Sequence, residues 1–245
     1  MSWEEVKLAG KQKWDEGLYT ITLDRRLDFK AGQFVNLGLI IDDKRVKRAY
    51  SIGSAPGEPL EFFIVEVDGG ALTPRALAKD PGEIVLVNPR PAGFFTLEYV
   101  ADARDLWMVA SGTGLAPFVA MLRQGEVWDR FERVVVLHGV RSARQLAYAD
   151  EFRRFAADRP GRLVYAPVVS RDPTARDVLH GRVTTALTDG QLEAHVGRLP
   201  DPARDHVMLC GNPAMLDEMQ AMLEARGLTV NRRKVPGQIT VERYW

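Results

Sequence analysis

Arg48-Ala49-Tyr50-Ser51 puts a cation, an aromatic ring and a hydroxyl within four residues of an extended segment. Strand alternation sets Arg48 and Tyr50 on one face and Ser51 on the other. An arginine can grip a phosphate with two parallel hydrogen bonds, a tyrosine can stack on a flat ring, and a serine can donate to ring atoms. These are the groups an aromatic, phosphorylated cofactor needs, although an ordinary edge strand can carry the same residues. A second segment, Ser111-Gly112-Thr113-Gly114-Leu115-Ala116-Pro117, follows an apolar run and precedes a helix-length stretch. Its glycines allow close backbone approach, and a helix start attracts phosphate. The third glycine of a full dinucleotide fingerprint is absent, so the turn is compatible with a nucleotide without requiring one. Cys210-Gly211-Asn212-Pro213 ends another apolar run. Ligands of open α/β sheets bind beyond the carboxyl ends of strands, so this turn and the one at Gly112 are candidates to face a single crevice. The chain finishes Val241-Glu242-Arg243-Tyr244-Trp245, two adjacent aromatics where a terminus is usually polar.

Two textures of sequence must position these groups. Up to about Leu97 the apolar segments are short and separated by Gly, Pro, Asn and Asp. Val35, Leu37 and Leu39 alternate. Phe62–Val67 stops at Asp68-Gly69-Gly70, and Ile84–Val87 lies between Pro81-Gly82 and Asn88-Pro89. Such spacing predicts a small antiparallel barrel or sandwich. From Leu106 onward, continuous apolar runs alternate with helix-length stretches: Leu106–Ala110, Val134–Leu137, Leu163–Val169 and Val207–Leu209 read as strands buried on both faces. Asn212-Pro213 reads as a cap and first residue of a helix, with Met215, Leu216, Met219, Met222 and Leu223 on its core face and Arg226-Gly227 at its end. The expectation is an antiparallel β-barrel domain over residues 1–99, then an α/β parallel-sheet domain over 100–245.

Composition narrows the function classes. The 245 residues are 46% hydrophobic and 27% charged, a globular balance. Lys plus Arg and Asp plus Glu are both 33, so nothing calls for a nucleic-acid partner. One cysteine excludes an intramolecular disulfide and a cysteine zinc cage, and the four histidines are scattered, so no metal is expected. No apolar run has the length of a membrane span, and the polar start Met1-Ser2-Trp3-Glu4-Glu5 is unlike a secretory signal. A cytoplasmic, metal-free protein is expected. His138 reads as a core or cap histidine without a catalytic role.

Taken in order, the Arg-x-Tyr-Ser strand, the Gly-Thr-Gly-x-x-Pro turn, the Cys-Gly-x-Pro turn and the Val-Glu-x-Tyr ending resemble the bacterial ferredoxin–NADP(+) reductases that end in Tyr-Trp. The resemblance covers essentially the whole chain. It implies an FAD enzyme that moves electrons between NADP(H) and ferredoxin or flavodoxin. Arg48 would neutralise the FAD pyrophosphate, with Ala49 beside it, Tyr50 would stack on the isoalloxazine, and Ser51 would bond near its N5. Ile64, Val65 and Glu66 would run beside the flavin through backbone groups. Ala71, Leu72 and Thr73 stand where the family has a phosphate-binding Gly-x-x-Ser segment, Thr73 replacing the serine. Thr113 would lie between FAD and the nicotinamide, with Gly112 and Gly114 giving the backbone room. Ser51, Cys210, Glu242 and Tyr244 would line the hydride-transfer site, next to Gly211. Tyr244 would cover the second face of the isoalloxazine and Trp245 would extend toward the adenine. Arg141, Ser170 with Arg171, and Arg182 fall at the family's positions for the 2′-phosphate, a dianion that calls for guanidinium groups. The basic clusters Lys44-Arg45-Val46-Lys47 and Arg232-Arg233-Lys234 are solvated faces by default, or a rim that steers an acidic carrier. The resemblance further implies a monomer. Two other readings stay open at this level. A related FAD/NAD(P)H reductase serving an oxygenase or respiratory system would prefer NAD and end differently. A redox-sensing flavoprotein would not reduce dyes with NADPH.

Overall fold

The computed structural model describes residues 3–232 and 235–243. The chain divides into two compact units, one of Met1–Leu97 with Ala116–Gln124, the other of Glu98–Leu115 with Gly125–Trp245.

The first unit is built on β1 (Glu4–Asp15), β2 (Leu18–Arg26), β3 (Phe34–Ile41), β4 (Lys44–Ser51), β5 (Pro59–Val65), the short helix α1 (Thr73–Ala78) and β6 (Ile84–Ala92). The strands form one antiparallel sheet in the order β4-β3-β6-β1-β2-β5. The expected barrel is thus present as a barrel-like sheet that does not close, because β4 and β5 remain its edges. Asp42 and Asp43 join β3 to β4, both with positive φ (49° and 58°), the backbone that a two-residue hairpin turn requires. β6 runs further than the Asn88-Pro89 turn signal suggests and passes through Pro89 and Pro91. Between the pairs Asn36↔Asn88 and Phe34↔Ala92, the longer β6 stretch lies opposite a shorter one of β3. That bulge takes up residues that cannot donate to the ladder. Ile21, Leu23, Val35, Ile52, Leu60, Phe62 and Val87 fill the core.

The second unit carries β7 (Asp105–Ser111), a 3-10 turn (Gly112–Leu115), α3 (Glu126–Arg130), β8 (Arg133–Val140), α4 (Ala149–Asp158), β9 (Leu163–Val169) and the two-residue β10 (Leu179–His180). It continues with α5 (Val183–Thr188), α6 (Gln191–Val196), β11 (Asp205–Cys210), α7 (Pro213–Ala225) and β12 (Ile239–Glu242). All neighbours in its sheet are parallel, in the order β10-β9-β8-β7-β11-β12. The chain leaves β7 toward β8 on one side and later adds β11 on the other, so its direction reverses between β7 and β11. Every residue of β11 is buried, as are Asp105–Ala110 of β7, which explains why these strands read as unbroken apolar runs. Met215, Leu216, Met219 and Leu223 of α7 pack on Trp107, Val109, Val207 and Leu209. The intervening helix α2 (Ala116–Gln124) is counted with the first unit, where Phe118 packs on Phe95 at 5.6 Å between ring centroids.

Asn212 caps α7 as its position before Pro213 predicts: its Oδ1 accepts from the amides of Ala214 (3.0 Å) and Met215 (3.4 Å). Asn212→Ala therefore lowers stability by about 1 kcal/mol in urea unfolding. An unchanged midpoint would show that the cap carries no energy.

Candidate functional site

In the first unit, β4 ends with Tyr50 half-buried and Ser51 buried. Tyr50 packs both on the barrel core and on the small cluster of Leu39, Leu72 and Ala76, so its ring reaches the segment that opens α1. Burial pushes the Tyr50 phenol up to about 12 and keeps it protonated at any working pH. The Ser51 hydroxyl is buried and has no hydrogen-bond partner among the described residues. A buried hydroxyl left unpaired costs free energy, so an acceptor or donor brought against it by a ligand would be rewarded. Arg48 and Ala49 are exposed, and Arg48 donates one N–H to the Lys47 carbonyl. Its planar group retains further donors.

Ile64 is buried, whereas Val65 and Glu66 are exposed. They stand at the end of β5, an edge strand, which leaves a row of backbone groups without a partner strand. Ala71 is exposed, and Leu72 and Thr73 are buried. The Thr73 hydroxyl accepts from the Val67 amide at 2.8 Å, so it fastens its own loop and keeps one O–H to donate.

In the second unit the two glycine turns meet. A Cβ on Gly114 would lie 2.4 Å from the Cys210 carbonyl oxygen, and one on Gly211 would lie 2.3 Å from Ser111 Oγ. Both positions therefore exclude any side chain. Ser111 Oγ also accepts from the Asn212 amide at 2.9 Å and ties the turns together. Gly112, by contrast, has φ 53° and open space where a Cβ would stand. Thr113 is partly exposed. These turns sit at the carboxyl ends of β7 and β11, at the point of reversal, where open α/β sheets bind ligands. Cys210 is fully buried and pairs in register with Glu242 of β12. Glu242 is half-buried, and burial raises its carboxyl to about 7.

The three arginines follow the same carboxyl edge. Arg141 comes directly after β8, and Arg171 comes just after β9 and donates its amide to the Arg141 carbonyl at 2.8 Å. The exposed Ser170 donates both its amide and its hydroxyl to the Val140 carbonyl, at 3.0 and 3.2 Å. Gly181 donates to the Val169 carbonyl, which brings Arg182, at the start of α5, to the end of β9. All three arginines are exposed. Asp172 fastens the intervening loop through the Thr174 hydroxyl at 2.7 Å, a bond that lowers its carboxyl below the ordinary range. Tyr244 and Trp245 lie outside the described residues, as do Arg233 and Lys234.

Two contributors escape sequence reasoning. Ser111 is hidden inside the turn it locks, and His138 reads as core. Each meets a backbone group far away in sequence, Ser111 Oγ the Asn212 amide and His138 Nε2 the Gly112 carbonyl at 3.3 Å, and no local pattern marks such contacts.

Residues 108–221 match the family described as Oxidoreductase NAD-binding domain. The chain is 41% identical over 246 residues to a flavodoxin/ferredoxin–NADP reductase of Shigella flexneri, covering 99% of both. It is 36% identical over 242 residues to a ferredoxin–NADP reductase of Pseudomonas aeruginosa, covering 94% of this chain and 93% of that one. A solved ferredoxin NADP+ reductase from Neisseria gonorrhoeae, with bound FAD and NADP, superposes with a TM-score of 0.93 at 28% identity, covering both chains fully.

Proposed function

Because the chain belongs to the flavodoxin/ferredoxin–NADP reductase family, we propose that residues 1–99 hold FAD, that residues 100–245 hold NADP(H), and that electrons pass between NADP(H) and ferredoxin or flavodoxin. The observation that carries this reading is the carboxyl edge of the parallel sheet. There, two turns closed to any side chain at Gly114 and Gly211 leave Gly112 open beside Thr113, and Arg141, Arg171 and Arg182 supply guanidinium groups along the same edge. Backbone amides at a helix start suit a pyrophosphate, and arginines suit a 2′-phosphate.

The first unit fits a flavin by the chemistry of its donors. Ser51 offers a buried, unpartnered hydroxyl to the ring, Tyr50 offers a half-buried aromatic face, and Arg48 offers exposed donors to the pyrophosphate. Thr73 contributes its remaining O–H, and Ala71 and Leu72 contribute backbone. Ile64, Val65 and Glu66 line the ring through the free edge of β5. When bound, FAD supplies the conversion between a hydride pair and single electrons. The protein's part is to bind and orient. Cys210 packs beside the nicotinamide, with Gly211 giving it room. Glu242 orients its carboxamide and holds a proton on its carboxyl oxygen near neutral pH. On the family resemblance Tyr244 and Trp245 cover the flavin. The experiment that tests the reading is steady-state dye reduction by the purified protein, which should require NADPH and run poorly with NADH. Sedimentation tests the monomeric state, and cell fractionation tests the cytoplasmic location, that belong to the same reading.

The carrier surface has its own prediction. Lys44, Arg45 and Lys47 are exposed on the edge strand β4, and the Arg45 guanidinium lies 4.8 Å from the Trp3 ring centroid. Charge on an edge strand blocks unwanted pairing and also attracts an acidic partner. If these residues steer the carrier, its association rate falls roughly tenfold between about 0.02 and 0.2 M salt. Reduction of an uncharged dye stays constant. A carrier rate that is flat in salt leaves β4 with the first role alone.

A further inference from the structure

His138 has no part in the reading above, yet it lies fully buried near the end of β8 and touches the coenzyme turn. Burial brings its imidazole down to about 4, so the ring is neutral and one nitrogen carries the proton. Nε2 lies 3.3 Å from the Gly112 carbonyl oxygen, which can only accept; Nε2 is therefore the protonated nitrogen. Nδ1 then keeps a lone pair, and the Tyr165 hydroxyl 3.5 Å away donates to it. The Tyr165 phenol is pushed well above its ordinary value by burial and remains a donor, and its ring is fixed against Phe152 at 4.7 Å. The tautomer is thus set from Tyr165 inward.

The Gly112 carbonyl belongs to the peptide that joins Gly112 to Thr113. In a planar trans peptide, C=O and N–H point in opposite directions. A carbonyl held toward His138 therefore turns the Thr113 N–H away from the buried ring. Gly112 sits at φ 53° at the start of the 3-10 turn, with nothing within 4 Å of its Cβ position, so no neighbouring side chain packs on that side of the glycine. Glycine is also the residue least resistant to a peptide flip.

We propose that His138 and Tyr165 are positioning residues that lock the Gly112–Thr113 peptide and present the Thr113 N–H to the pyrophosphate of a bound nicotinamide coenzyme. The inference rests on the reading that this turn binds the coenzyme. Because the pyrophosphate is common to NADPH and NADH, the lock serves both, whereas the arginines serve only the 2′-phosphate.

The test uses the FAD-loaded protein and three probes: NADPH, NADH and adenosine 2′-phosphate, which lacks a pyrophosphate. His138→Leu should raise KM for NADPH and NADH by the same factor, about tenfold, and leave adenosine 2′-phosphate binding unchanged. His138→Gln, whose side-chain amide reaches the Nε2 position, should recover most of the affinity. Tyr165→Phe, which leaves the fold a ring of the same shape, should raise both KM values about threefold by releasing the tautomer. Unchanged coenzyme KM in folded His138→Leu or in Tyr165→Phe overturns the proposal. So does a parallel loss of adenosine 2′-phosphate binding that Gln does not rescue, because that marks a general loss of structure. Failure of the unaltered protein to bind adenosine 2′-phosphate and NADPH would instead sink the coenzyme reading itself.

Discussion

Replacing Arg171 and Arg182 together by alanine lowers the affinity for NADPH by about a thousandfold and that for NADH by less than about threefold. On the proposed reading each guanidinium would contribute a charge-assisted contact to a dianion, worth on the order of 1.5–3 kcal/mol. Neighbouring charges share one phosphate, so the two losses add incompletely. Both side chains are exposed at the carboxyl edge of the parallel sheet, on segments held there by backbone bonds from Arg171 to Arg141 and from Gly181 to Val169. Their removal leaves those bonds intact. The measurement is the ratio of kcat/KM for the two coenzymes in each single variant and the double variant. Equal losses for NADPH and NADH would remove these arginines from the 2′-phosphate.

Glu242 has the second large effect. Glu242→Gln lowers the rate of coenzyme-dependent dye reduction by about a hundredfold and flattens its pH profile around pH 7. In the unaltered protein, burial holds this carboxyl at about 7, so it gains charge across neutral pH. On the proposed reading, once charged it would accept more strongly from the nicotinamide carboxamide, so KM should fall as pH rises through 7. Stability runs the opposite way. The folded carboxyl titrates near 7 against the ordinary 4.5, so between those values the folded state binds more protons than the unfolded one. Stability is full below about 4.5 and is lost as pH climbs toward 7. The loss is about 2 kcal/mol once partial exposure is discounted, and Glu242→Gln removes it. A variant with the native pH profile in both rate and stability would show that Glu242 does not face the reacting ring.

The strands of the parallel sheet were legible because burial on both faces leaves few polar positions to interrupt the run, Asp105, His138, Asp205 and His206 among them; Leu163–Val169 matches its strand residue for residue. The cap at Asn212 was legible because its chemistry is local. What the sequence hid is non-local. The prolines of β6 look like a turn until the bulge against β3 is seen to absorb them. Helix α2 follows the Gly112–Leu115 turn in the chain, yet it packs with the first unit through Phe118. At the candidate site, residue types pointed to Ser51 and the glycine turns, and the family resemblance pointed to the arginines. The contacts that fix them, Ser111 to Asn212 and His138 to Gly112, link positions 101 and 26 residues apart and leave no mark on any local pattern.

The most direct test is the visible spectrum of the purified protein titrated anaerobically with each coenzyme. A flavin spectrum that bleaches with stoichiometric NADPH and remains with the same amount of NADH is the predicted result. A protein that carries no flavin after exposure to FAD, or one whose flavin bleaches equally with NADH, would contradict the account.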